Sequence, residues 1–276
     1  MKRFFLIPNY SKPEAVEFIP EIKAFIKDNG GDVLVSEDKR EGHHVSSDVP
    51  EGTEAVITLG GDGTIIQAAG ELRDRDIPIL GINMGHLGFL AEVEKPDYKS
   101  AVLSLLHDTF FVEERMMIEG QVLRNGVLLY ENAGVNDIVL RAGQPKAIYF
   151  DMYVDGSLLV KYHADGMIIS TPTGSTAYNL SAGGPIIMPS ARMLLATPVN
   201  PHTLLSRSVV LPENVKIVLK PEPESFEGIL LSFDGFCFND LRAGDEILIA
   251  RSDRKFRLIR LEKNSFIEVL RSKLEQ

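Results

Sequence analysis

Apolar and polar positions follow two different periods along this chain. Toward the N-terminus, short apolar runs alternate with stretches whose apolar residues recur every three or four positions. Arg3 to Ile7 predicts a strand, and Pro13 to Asn29 a helix with Val16, Ile19, Ile22 and Ile26 at helical spacing, stopped by Asn29-Gly30-Gly31. Asp32 to Ser36 reads as a second strand and Glu37 to Thr53 as a polar loop. The run Ala55-Val56-Ile57-Thr58-Leu59 predicts a buried strand, Ile65-Ile66-Gln67-Ala68-Ala69 a helix, Ile79 to Ile82 a further strand, and Asp97 to Leu106 a helix. Strands alternating with helices across short loops predict an open, mostly parallel sheet, with ligands at the carboxyl ends of its strands.

From Phe111 the pattern changes. Short apolar-rich runs are separated by Asn125-Gly126, Asp155-Gly156 and Asp234-Gly235, each a tight-hairpin signal, so this half is mostly antiparallel β. Asn264 to Leu274 returns to helical spacing, with Phe266, Val269, Leu270 and Leu274 on one face that must dock on a neighbour. The fold class is therefore α/β, an N-terminal open sheet with helices followed by a β-rich second domain. With no Pro/Ser linker at the border, we set it near residue 108.

Composition sharpens the class of partner. The chain has 276 residues, 44% hydrophobic and 25% charged, enough to bury a sizeable core in one large or two modest domains. A net charge of −10 and a pI near 5.2 argue against nucleic acid or an anionic membrane as partner and leave a small anionic ligand possible. The one cysteine, Cys237, cannot pair within the chain; Phe4-Phe5-Leu6-Ile7 is stopped by Pro8 before it reaches signal-peptide length, and no run approaches a membrane span. A cytoplasmic location is expected.

Candidate chemistry concentrates in two stretches. Gly60-Gly61-Asp62-Gly63-Thr64 joins the buried strand to the following helix, and its glycines let the backbone turn and approach a ligand while the helix-start N–H groups face an anion. That makes Gly61, Gly63 and Thr64 candidate phosphate contacts and Asp62 a candidate chemical group, although Asp62 can equally be a plain N-cap. The dinucleotide fingerprint is ruled out by Ile66, and the absence of a Gly-Lys pair rules out a Walker A loop. The next strand end carries Asn83-Met84-Gly85-His86-Leu87-Gly88-Phe89-Leu90, expected to place Asn83 beside Asp62, with His86 a solvated or capping residue. The second stretch runs from Asp165 to Pro185, and five of the seven residues from Ser170 to Thr176 carry hydroxyls. Flanking apolar runs argue that it is buried, where hydroxyls and amides suit sugar and phosphate oxygens and Tyr178 can cover a base. No Lys or Arg occurs from His163 to Ala191, so backbone N–H groups, hydroxyls and a metal ion would have to offset phosphate charge there.

Four segments together resemble the bacterial NAD kinases: the GGDGT turn, the Asn83 to Leu90 loop, the run STPTGSTAYNLSAGGPI from Ser170 to Ile186, and Thr197-Pro198-Val199-Asn200-Pro201-His202. GGDGT is shared with phosphofructokinases and with diacylglycerol and sphingosine kinases; the STPTGSTAY run is far more specific. The resemblance implies transfer of the γ-phosphoryl group of ATP, or of polyphosphate, to the 2′-hydroxyl of the adenosine ribose of NAD, with Mg²⁺ or another divalent cation carried with ATP and no protein metal site. It makes Asp62 the catalytic residue, orienting the hydroxyl and accepting its proton; because a carboxylate is a weak base at neutral pH, acceptance is expected late in the transfer.

The same resemblance assigns the ribose-gripping pair to Asn136-Asp137, one methylene shorter than the family's Asn-Glu. It assigns the dinucleotide site further to Asp165, Thr176, Ala177, Tyr178 and Ser181, with His163 and Phe89 as contacts for which ordinary packing is the simpler account. It implies domains of 1–108 plus 262–276 (α/β, carrying the turn) and 109–261 (β-rich, dinucleotide-binding), the C-terminal helix returning to the first, and assembly as a homodimer or homotetramer. Two alternatives are a diacylglycerol-type lipid kinase, disfavoured because GTGND is missing, and a non-catalytic dinucleotide sensor, disfavoured because Asp62 is present.

Overall fold

The alternating runs of the N-terminal part fold into parallel strands. In the computed structural model, which describes residues 1–37, 48–85, 88–144, 146–204, 206–223, 228–261 and 266–274, the chain forms two compact units, Met1–Glu114 with Lys255–Gln276, and Arg115–Arg254. Most of the expected polar loop, together with His86 and Asn264, lies outside the described residues.

The first unit contains β1 (Arg3–Pro8), α1 (Pro13–Asp28), β2 (Asp32–Val35), β3 (Ala55–Gly60), α2 (Asp62–Glu71), β4 (Ile79–Asn83), β5 (Val93–Glu94) and α3 (Tyr98–Leu106). Strands β2, β1, β3 and β4 lie side by side and all parallel, and Leu258 from the end of the chain's last strand pairs in parallel with Ile79. Every residue of β3 and β4 is buried, as in the centre of a sheet covered on both faces. Helix α1 buries Ala15, Phe18, Ile22 and Ile26, while Val16 is 38% exposed. That corrects the expected stripe: the buried face follows 15, 18, 22 and 26, and Val16 lies one residue, about 100°, round the helix from it.

The second unit is predominantly β, with a 3-10 turn at Thr173–Thr176 and the short α4 (Tyr178–Ser181). Its strands are β6 (Phe111–Arg124), β7 (Val127–Gly134), β8 (Asp137–Ala142), β9 (Ile148–Val154), β10 (Ser157–Ala164), β11 (Gly166–Ser170), β12 (Met193–Val199), β13 (Val209–Pro212), β14 (Ile217–Pro221), β15 (Ile229–Phe233), β16 (Phe236–Phe238) and β17 (Asp245–Arg260); β6 starts and β17 ends in the first unit. One layer has the order β10-β9-β14-β17, joined by β6 and β7, and the other has the order β13-β12-β11-β8-β15-β16. Phe150, Met152, Ile217, Leu219 and Ile247 from the first layer form one buried cluster with Ile138, Leu140, Met167, Ile169 and Phe233 from the second.

All three predicted hairpins form. Asn125 and Gly126 have φ of 53° and 78°, Asp155 and Gly156 47° and 79°, Asp234 and Gly235 47° and 88°. Left-handed backbone at both central residues is the type I′ turn, which Asn-Gly and Asp-Gly adopt most easily. The C-terminal helix α5 (Phe266–Leu274) half-buries Phe266, Val269 and Leu270, and the Phe266 ring lies 5.9 Å from Phe89 within the first unit. Among the described residues no helix is long and apolar enough to cross a membrane.

Candidate active site

Strands β3 and β4 end level with each other: Gly60 pairs with Asn83, and the Met84 N–H donates to the Gly60 carbonyl at 2.9 Å. Helix α2 then begins with Gly61 as its N-cap and Asp62 as its first residue, and no side chain caps it. The capping alternative for Asp62 is therefore incorrect. Its carboxylate is taken up by the segment after β4: Phe89 N–H donates to Oδ2 at 2.6 Å, and Leu90 and Ala91 N–H donate to Oδ1 at 3.1 and 3.0 Å. A Cβ on Gly88 would stand 1.9 Å from Oδ1, so glycine there is what lets the segment close on the acid. A carboxylate has about four lone-pair positions. Three are occupied, and among the described residues the open one is on Oδ2.

Of the two ends expected of the turn's glycines, a sharp backbone turn and close approach of a ligand, the first does not require them. Gly60, Gly61 and Gly63 all avoid positive φ, and a Cβ on Gly61 or Gly63 would meet open space, so neither backbone strain nor internal packing requires glycine at those two positions. What remains is clearance for something outside the chain. Thr64 Oγ1 accepts a long 3.5 Å hydrogen bond from Asn9, and the Asn83 amide donates to Gly85 O at 2.8 Å while its Oδ1 is buried with no hydrogen-bond partner among the described residues. A cavity of about 270 Å³, lined by Asn83, Met84, Gly85, Glu14, Glu94, Lys95 and Pro96, opens beside that amide. The Phe89 ring is engaged by Phe266 and by Lys273 Nζ, 5.7 Å from its centroid.

In the second unit Asn136 precedes β8 and Asp137 opens it, opposite the Asp234-Gly235 hairpin. Asp234 accepts hydrogen bonds from the N–H groups of Val135, Asn136 and Asp137 at 2.6, 2.8 and 3.0 Å. Burial pushes the Asp137 carboxyl up to about 7, with the Asp234 charge adding to the shift. Burial also raises Asp234, against the pull of its three N–H donors. Asp234 was legible only as a turn residue, because an Asp-Gly pair gives no sign that its carboxylate will reach another strand.

The hydroxyl-rich run is buried, but mostly for its own sake. Thr171 Oγ1 donates to Val135 O at 2.6 Å and accepts from Gly174 N; Ser170 Oγ donates to Thr171 O; Ser175 Oγ donates to Ile187 O and accepts from Ile187 N. Asn179 bridges Ser175 O, Pro185 O and the Thr197 hydroxyl. This corrects the expectation that these hydroxyls await ligand oxygens, since a buried loop must first satisfy its own backbone. The expectation of no basic side chain is also corrected: Arg115, 3% exposed, comes from β6 and donates to Thr173 Oγ1 at 3.3 Å. A lone arginine in a strand, far away in sequence, carried no signal of that contact.

Surface presentation passes to the residues that follow. Thr176 and Ala177 are half-buried, Ser181 is exposed, and Tyr178 is 42% exposed on α4. Asp165 accepts from Asn200 Nδ2 at 2.9 Å, and His163 stacks on Tyr149 with centroids 4.1 Å apart and planes 3° from parallel, His202 lying 5.0 Å away on that same ring.

Comparison with known proteins covers both units. The ATP-NAD kinase N-terminal domain family matches residues 4–110 and the ATP-NAD kinase C-terminal domain family residues 135–261. The NAD kinase of Lachnoclostridium phytofermentans is 41% identical over 281 residues, 99% of each chain. The chain belongs to the NAD kinase family. The NAD kinase of Moorella thermoacetica is 38% identical over all of this chain and 90% of that protein. Yeast NADH kinase, solved in complex with NADH, superposes with a TM-score of 0.87 at 26% identity over 99% of this chain and 88% of its own. An Archaeoglobus fulgidus NAD kinase in complex with ATP has the same fold, with a TM-score of 0.77 at 23% identity over 99% and 98%. NAD kinases are phosphotransferases, so the chain is an enzyme, and the lipid-kinase and sensor alternatives are set aside. The N-terminal family match contains Asp62 and its Phe89-Leu90-Ala91 clamp; the C-terminal match contains Asn136 through Ser181.

Proposed function

We propose that this NAD kinase transfers the γ-phosphoryl group of ATP, or a phosphoryl group of polyphosphate, to the 2′-hydroxyl of the adenosine ribose of NAD, with Asp62 as its catalytic residue. The observation that carries the reading is the Asp62 carboxylate, held by three backbone N–H groups at the carboxyl end of a buried parallel strand, with one lone pair of Oδ2 left open by the described residues. The ribose oxygen bonds to the γ-phosphorus, the bond from that phosphorus to the β–γ bridging oxygen breaks, and the hydroxyl proton passes to Oδ2. Such a transfer depends on positioning and charge stabilisation more than on covalent chemistry. Clearance above Gly61 and Gly63 supports close approach of phosphate oxygens to the helix-start N–H groups.

Asn136, Asp137, His163, Asp165, Thr176, Ala177, Tyr178 and Ser181 line the dinucleotide site in this reading, while in the first unit Asp62 and Asn83 face the transferred phosphoryl group and Phe89 contributes its backbone. The yeast NADH kinase in complex with NADH supports the dinucleotide ligand, and the matched ATP-NAD kinase families support ATP as donor. The divalent cation suggested by the family travels with ATP. Mg²⁺ usually keeps several waters and binds through phosphate oxygens, so with the open Oδ2 position given to the ribose hydroxyl, its ligands would come from the phosphates and water. Carried with ATP, the cation would supply charge neutralisation for the phosphoryl group. A cytoplasmic homodimer or homotetramer completes the proposal; exposed Val127, Leu128, Leu158 and Phe236 are the kind of apolar surface that subunits cover.

The test is direct. Purified protein with NAD, ATP and Mg²⁺ is expected to form a product that an NADP-specific dehydrogenase reduces. No such product from either ATP or polyphosphate would overturn the assignment.

A further inference from the structure

The two peptide groups that bind Asp62 Oδ1 are each held at both ends. Their N–H groups belong to Leu90 and Ala91; the carbonyls of those same peptide units belong to Phe89 and Leu90. Both carbonyls accept from one guanidinium, that of Arg260 at the end of β17, with Nη1 3.3 Å from Leu90 O and Nη2 3.5 Å from Phe89 O. The Arg260 Nε donates to Glu113 Oε2 at 3.1 Å, and Glu92, itself fixed by the Leu261 N–H at 3.2 Å, lies 3.8 Å from Nη1. The guanidinium is thus anchored by two carboxylates and presents its fork to the pair of carbonyls, a geometry an ammonium cannot reproduce.

We propose that Arg260 is a positioning residue for phosphoryl transfer, aligning and polarising the peptides that hold the Asp62 carboxylate. Hydrogen bonds in series strengthen one another where water is scarce, so a cation on the carbonyl end of a peptide makes its N–H a better donor at the other end. The arginine never reaches the reacting atoms; it sets where Oδ1 rests and therefore where Oδ2 points. Phe266 against the Phe89 ring braces the same segment from α5. The inference rests on the reading of Asp62 as the catalytic residue.

A double-mutant cycle between Arg260 and Asp62 tests it, with NADP formation measured at saturating NAD and ATP and thermal melts run on every variant. Arg260→Ala is expected to lower kcat by about 10- to 100-fold, the scale of a small misplacement of a catalytic group, with KM for NAD changed less than about twofold. Added guanidinium is expected to restore several-fold of that loss, and Arg260→Lys to retain an intermediate rate. In the Asp62→Asn background the same substitution is expected to cost less than about threefold, because a residue acting through Asp62 has nothing left to act on. An undiminished loss in that background, or a rise in KM with kcat unchanged, overturns the role of Arg260 while leaving that of Asp62 intact. Wild-type turnover by Asp62→Asn alone overturns both. Should Arg260→Ala fail to fold, Arg260→Lys closes the same cycle.

Discussion

The Phe89 N–H and the Asp62 Oδ2 are 2.6 Å apart and 27 positions distant in sequence. With the Leu90 and Ala91 bonds, this contact ties the end of β3 to the segment after β4 and fixes the one carboxylate in the glycine turn. The arrangement makes specific demands on neighbouring residues, and each can be measured.

Gly88 is held to glycine by the acid itself. In Gly88→Ala the new methyl would fall 1.9 Å from Asp62 Oδ1, so the segment or the carboxylate must move. Turnover is expected to fall about 100-fold, the effect of roughly 1 Å of misplacement, together with a lower melting temperature. Unchanged turnover would mean that the clamp does not set the reactive geometry.

Gly63 makes the opposite prediction for stability. Its Cβ would meet open space on the first turn of α2, so Gly63→Ala should stabilise the fold by about 0.5–1 kcal/mol through helix propensity. Activity should nonetheless drop, since the methyl occupies the clearance assigned to phosphate. Urea unfolding and the NADP assay on the same variant separate the two effects, and a variant both more stable and fully active would refute the phosphate cradle.

Asp137 governs a pH-dependent part of the stability. Its folded carboxyl is raised to about 7 by burial and by Asp234, so across the range from about 4 to about 7 the folded state binds a proton that the unfolded chain does not. Stability from this group is complete below about pH 4 and is lost as pH rises through 7. Asp137→Asn should flatten the melting temperature across that window and leave the variant more stable than wild type at pH 8, by on the order of a few kcal/mol. Parallel profiles for variant and wild type would contradict the assignment.

Ser175 and Ser181 separate scaffold from site. Ser175→Ala leaves the Ile187 N–H and carbonyl without their hydroxyl partner and should cost about 1–3 kcal/mol in urea unfolding. Exposed Ser181→Ala should change stability by less than about 0.5 kcal/mol yet raise KM for NAD. A Ser181 variant with an unaltered KM would remove that residue from the dinucleotide site.

Much of the architecture was legible because it rests on local signals. Asn125-Gly126, Asp155-Gly156 and Asp234-Gly235 made hairpins because left-handed backbone at two successive positions is cheap for those pairs and few others. The run from Ala55 to Leu59 became a fully buried strand because continuous apolar character suits a parallel sheet covered on both sides. What escaped was contact between distant segments. The Asp62 clamp is made by backbone N–H groups, which every residue possesses, so Phe89 drew notice for its ring rather than its amide. Arg115 and Asp234 reach their partners across strands whose register no local pattern specifies. The hydroxyls of Ser170, Thr171 and Ser175 were visible, but chemistry alone does not distinguish a hydroxyl that waits for a ligand from one that closes its own loop.

The catalytic role of Asp62 is measured by the rate of NADP formation by Asp62→Asn beside wild type, with NAD affinity of both proteins determined by calorimetry. A rate lower by about 10²- to 10⁴-fold is expected, the usual contribution of a general base, with NAD still bound within a few-fold of wild-type affinity. Wild-type turnover by Asp62→Asn would contradict that role.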